Sequence, residues 1–80
     1  MNRDWINEAR TIAGELKITG FEKESCRILD AIDSGSTGGE ILMSLRWNLE
    51  EILKSSSSFD FSLRDRIEEI SRGITNLLGR

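Results

Sequence analysis

The sequence predicts an all-α fold: a compact, single-domain, four-helix bundle-like protein with short loops. Three observations predict it. Four segments repeat apolar residues at intervals of three and four, the period of a helix that buries one face. No segment alternates apolar and polar residues as a half-buried strand does. The connections between those segments are mostly short, as between the antiparallel helices of a bundle. A chain of 80 residues has no room for a second compact domain, since domains usually run to about 100–150 residues. Residues 1–80 are therefore read as one domain.

The first helix is expected over about residues 3–18. Trp5, Ala9, Ile12 and Leu16 form its stripe, widened by Ile6 and Ala13. Asn2 is the expected N-cap, with Asp4 in the first turn, where an anion suits the helix dipole. Gly14 falls on the opposite face, and Gly20 ends the helix. The second helix is expected over 22–33, with Phe21, Ser25, Ile28, Leu29 and Ile32 on one face and Gly35 as the C′ residue.

The third helix is expected over 38–54. Thr37 and Glu40 read as a capping box, in which the hydroxyl accepts from the Glu40 amide and the carboxylate reaches back to the Thr37 amide. Ile41, Leu42, Leu45, Leu49, Ile52 and Leu53 form the stripe, and Glu50 with Lys54 is a favourable i,i+4 pair. The fourth helix is expected over 63–78 with Ser62 as N-cap. Its stripe is Leu63, Ile67, Ile70, Ile74, Leu77 and Leu78, and Gly73 on the flank lets a neighbour approach closely. Ser55 to Ser58 read as a flexible linker. Phe59 and Phe61, alternating with Asp60, are expected to plug the bundle end. Short connections favour antiparallel neighbours.

Composition limits function. There is no His and a single Cys, Cys26, so neither a histidine-based site nor an internal disulfide can form. No nucleophile–base pair, metal cluster or cofactor motif is visible, and the chain is read as a non-enzyme with no cofactor. The net charge is −3, from 11 basic and 14 acidic side chains. Nucleic-acid binding therefore ranks last, although Arg64, Arg66 and Arg72 lie on one helix. No signal peptide or membrane span is expected. The lone thiol fits a reducing, cytoplasmic setting, and Cys26 itself reads as a semi-buried small hydrophobe. Ser34 to Glu40 is Gly-rich and opens a helix, but it lacks the Lys of a phosphate-binding loop and reads as a turn with an N-cap.

The most informative feature is on the third helix. Met43 and Trp47 lie nearly opposite its core stripe, among Glu40, Glu50, Glu51 and Lys54. Two readings are open. Either this is a central helix packed on both sides, with Met43 and Trp47 inside, or the pair is an exposed patch. An exposed patch would bind a protein partner or a second copy, as a homodimer, with Arg46 and Glu50 beside it. The candidate interaction residues are Met43, Arg46, Trp47 and Glu50. The segment Thr37-Gly-Gly-Glu-Ile-Leu-Met-Ser-Leu-Arg-Trp-Asn-Leu49 resembles one that recurs in small uncharacterised bacterial helical proteins, where a Gly/Thr turn precedes an Ile-Leu-Met-x-Leu-Arg-Trp helix. The resemblance implies a bacterial source and no particular activity. In size and acidity the chain is also similar to small four-helix bacterial immunity proteins. Neutralisation of a basic toxin, with the acidic second helix as the docking face, is thus a further expectation. Another is a small-ligand site between helices one, three and four.

Overall fold

A computed structural model describes residues 4–55 and 59–79 of the chain. It contains four helices, α1 (Trp5–Ile18), α2 (Glu22–Ser34), α3 (Gly38–Ser55) and α4 (Phe61–Leu77). The expected cap Asn2 and most of the serine linker, residues 56–58, lie outside the described residues. Asp4 caps α1: its Oδ1 accepts from the Asn7 amide at 3.1 Å. At the other end Gly20 takes φ +95°. The Gly20 amide then reaches the Lys17 carbonyl at 3.3 Å and the Phe21 amide reaches Leu16 at 2.8 Å. That double closure with a left-handed glycine is a Schellman turn.

Gly35 does not play the same part after α2. Its φ of −83° and ψ of 143° are extended, open to any residue. Glycine is needed there for space, because an added Cβ would sit 2.5 Å from Ile41 Cγ1 and 3.0 Å from the Ile41 amide nitrogen. The α4 start also differs from expectation. The helix begins at Phe61 with Asp60 as the flanking residue, two residues before the position read from Ser62. Phe59 is buried and its ring centroid lies 4.6 Å from that of Phe21. Phe61 is 82% exposed, so one phenylalanine plugs the bundle and the other does not. Helix α4 ends at Leu77, and both Leu77 and Leu78 are exposed rather than part of the stripe.

Each helix packs on its sequence neighbours, and α4 closes back on α1. Across the bundle α1 meets α3, whereas α2 and α4 do not meet among the described residues. Trp5 at the start of α1 lies on Gly73 near the end of α4. Glu15 near the end of α1 pairs with Arg66 near the start of α4 at 2.6 Å. These two contacts make α1 and α4 antiparallel. The link from Arg27 to Asn48 and the close approach of Gly35 to Ile41 do the same for α2 and α3. The core comes from all four inner faces, with Ile12, Leu16, Ile28, Leu45, Leu49, Ile52, Ile67 and Ile74 fully buried. Ala31 joins it, and Leu29, expected inside, is exposed.

Candidate functional site on the outward face of α3

Successive residues of a helix turn by about 100°, so α3 presents two faces. The inner one carries Leu45, Leu49 and Ile52, all fully buried, with Ile41, Leu42 and Leu53 half-buried at its margins. On the outer one Met43 and Trp47 are each 58% exposed. The reading of α3 as a central helix with Met43 and Trp47 inside is therefore incorrect. The physical reason is topological: α3 is flanked by α2 and α4 and touches α1 only on its inner side. The bundle closes without these two side chains.

The outward stripe is Glu40, Met43, Trp47, Glu50 and Lys54, spaced three, four, three and four, and every member is exposed. Glu50 is not paired with Lys54 as expected. Lys54 Nζ instead meets Glu51 at 3.7 Å. Arg46 borders the stripe and is half-buried. Its Nε is enclosed without a hydrogen-bond partner. Of the four candidate residues, Met43, Trp47 and Glu50 thus share one open face, and Arg46 stands at its edge.

Sequence reasoning missed one member, Arg27 of α2. Its guanidinium carbon lies 5.8 Å from the centroid of the Trp47 ring, within cation–π range. Arg27 Nε donates to Asn48 Oδ1 at 3.2 Å, and Asn48 Nδ2 donates to the Ser44 carbonyl at 2.9 Å. This relay holds the cation against the indole, and Trp47 still keeps more than half of its surface open. No periodicity within α2 or α3 signals it, because it exists only once the two helices pack.

The cap of α3 is a modified box. The Glu40 amide donates to Thr37 Oγ1 at 3.2 Å as expected. The Glu40 carboxylate, however, takes the Ser36 amide at 3.0 Å and the Ser36 hydroxyl at 2.9 Å. The Ser36 amide, then its hydroxyl, hold the Glu40 carboxyl below the usual 4.5. The Gly-rich turn is thus filled by its own carboxylate.

The other candidate features lie elsewhere. Cys26 is exposed, not semi-buried. On α4 Arg64 and Arg72 both approach Glu68 at 3.8 Å, and Arg66 is held by Glu15. An open groove of about 590 Å³ is lined by Glu15, Ile18, Thr19, Phe21, Asp60, Ser62 and Leu63. It lies on the surface between the end of α1 and the start of α4, not in the space between α1, α3 and α4 proposed for a ligand. Among the described residues no cluster of three or more acidic or Cys side chains could hold a metal ion, and no helix is long and apolar enough to cross a membrane. In comparisons with family models, with curated proteins and with solved structures, the chain matches none.

Proposed function

We propose that this chain is a small, non-enzymatic protein-interaction module that binds another protein surface, or its own, through the outward face of α3. The single observation that carries this reading is the exposure of Met43 and Trp47 opposite a fully buried core face. A chain this short has few large apolar side chains to spare, and leaving an indole more than half in water forgoes burial energy on the order of 1–2 kcal/mol. Contact with a partner recovers that energy. Trp and Arg are the residue types most enriched at binding hot spots, and Trp47 has Arg27 over its ring and Arg46 beside it. A thioether adapts readily to the shape of what it meets, which suits Met43 to the same surface. The lone exposed thiol is consistent with a reducing compartment.

The test separates binding from folding. Trp47→Ala is expected to leave the thermal midpoint near that of the wild type at concentrations where the wild type is monomeric, and to abolish association, whether with itself or with an identified partner. Association unchanged in Trp47→Ala, measured by sedimentation or calorimetry, overturns the reading.

A further inference from the structure

Resting on the interaction reading above, we infer that the surface on α3 is self-complementary and pairs antiparallel with α3 of a second copy, about a two-fold axis at Trp47. The argument is the order of charge along the stripe. Glu40 stands seven residues before Trp47 and Lys54 seven residues after it. Seven residues rise about 10.5 Å and turn about 700°, nearly two whole turns, so the three lie almost in line. All three are exposed.

Two helices related by a two-fold axis across their contact run in opposite directions. With the axis at Trp47, residues whose numbers add to about 94 stand at the same height. Trp47 then faces Trp47 of the second copy. Glu40 faces Lys54 of the second copy, and Lys54 faces Glu40. Met43 lies along the aliphatic part of Glu50 of the second copy. On the edge toward α4, Arg46 approaches Glu50 of the second copy, and the same contact repeats by symmetry. Such an isologous contact makes every pairing twice. Four opposite-charge approaches flank a paired indole and thioether centre, and the Arg27 guanidinium of each copy, 5.8 Å from its own Trp47 ring centroid, stands at the α2 edge of that centre. Parallel pairing in register places Glu40 on Glu40 and Lys54 on Lys54, which repels at both ends.

The expected strength follows from size. The 18 residues of α3 span about 27 Å. One helix pair of that length buries an area at or below the low end of the about 1,200–2,000 Å² of stable complexes. The dimer is therefore of micromolar affinity or weaker, and it loosens as salt screens the four charge pairs.

The experiment is sedimentation equilibrium of the intact chain from about 10 µM to about 1 mM, with circular dichroism on every variant. The wild type is expected to dimerise in low salt. Glu50→Arg brings an arginine against Arg46 of the second copy, and Arg46→Glu brings two acids together; each alone is expected to weaken self-association at least about tenfold. An equimolar mixture of the two variants restores opposite charges at both positions and is expected to associate as the wild type does. A second readout serves if Arg46→Glu unfolds. In a Cys26→Ser background, Glu40→Cys and Lys54→Cys are expected to cross-link with each other in a mixture, and neither with itself. A wild type that stays monomeric to about 1 mM overturns the second-copy proposal and leaves the interaction reading to its own test with a partner. A wild-type dimer that survives Trp47→Ala overturns both. A dimer lost in Trp47→Ala but not recovered in the charge-swapped mixture, or cross-linked through Lys54→Cys alone, overturns the antiparallel arrangement only.

Discussion

At the scale of single residues, space decides the value of a side chain more than its type. The two helix-interior glycines make the point. A Cβ on Gly73 would overlap the Trp5 ring, which lies directly on the α4 backbone. A Cβ on Gly14 would meet nothing within 4 Å. Alanine is worth about 1 kcal/mol over glycine inside a helix, and at Gly14 that gain is unopposed. Gly14→Ala is expected to stabilise by about 0.5–1 kcal/mol in urea denaturation. At Gly73 the ring must move or the helices must part, which costs about 1–3 kcal/mol. Gly73→Ala is expected to lower the urea midpoint despite its better helix propensity, with a change in Trp fluorescence. The two tryptophans divide in the same way. Trp5 is half-buried against the core and Trp47 is mostly in water. Removing a buried aromatic costs about 3–5 kcal/mol; Trp47→Ala is expected to cost less than about 1 kcal/mol. A loss of several kcal/mol in its urea curve would place Trp47 in the core.

At the scale of elements, the start of α3 ties stability to pH through Glu40. Its carboxylate accepts two hydrogen bonds from Ser36, and its pKa is lowered from the usual 4.5. The unfolded chain therefore holds this proton more tightly than the folded one. The stability contributed by the charged carboxylate is fully present above about pH 4.5 and is lost as pH falls through the folded value. Glu40→Gln is expected to unfold at lower urea than the wild type near about pH 7, and the gap between the two is expected to shrink near about pH 3. Thr37→Ala removes the partner of the Glu40 amide and is expected to cost about 1 kcal/mol at either pH. This element also marks what was legible beforehand. The existence and order of all four helices, and the inner faces of α1 and α3, followed from the three–four spacing of their apolar residues. Leu29 of α2 and Leu77 and Leu78 at the end of α4 fit the same spacing and are exposed. Thr37 was legible as a cap. The Ser36 contact was not, because a capping box puts the glutamate on the Thr37 amide and only the actual turn brings Ser36 within reach. The α4 start was misplaced because Asp60 and Ser62 are both cap residues. What separates them is tertiary: Phe59 is drawn onto Phe21. The outward position of Met43 and Trp47 was legible as an angle on a wheel. Whether something covered them was not, since that depends on which helices flank α3. Arg27 over the indole was invisible for the same reason.

At the scale of the whole molecule, the bundle is one small core, and anything that bound α3 in the folded state alone would add to its stability. Fifteen hydrophobic residues are buried among the described ones, and a domain of this size holds a margin of only about 5–15 kcal/mol or less. Any species that binds the folded state alone adds RT ln(1 + [L]/Kd) to that margin, about 2.7 kcal/mol when it is present at a hundred times its Kd. If the ligand is a second copy, the chain's own concentration supplies [L]. The thermal midpoint of the wild type is then expected to climb with protein concentration across the range in which it dimerises. At this chain length each kcal/mol corresponds to roughly 4–8 °C, so a tenfold step in concentration above Kd, worth about 1.4 kcal/mol at most, is measurable. Trp47→Ala keeps the same core and loses the contact, so its midpoint is expected to be independent of concentration. Leu49→Ala does the reverse. It opens a cavity in the inner face of the same helix at a cost of about 2–5 kcal/mol, lowering the midpoint at every concentration while keeping the slope. Scanning calorimetry of the three proteins therefore separates the two faces of α3. A wild-type midpoint that does not move with concentration would leave the core as the whole source of stability and remove the second copy from the account.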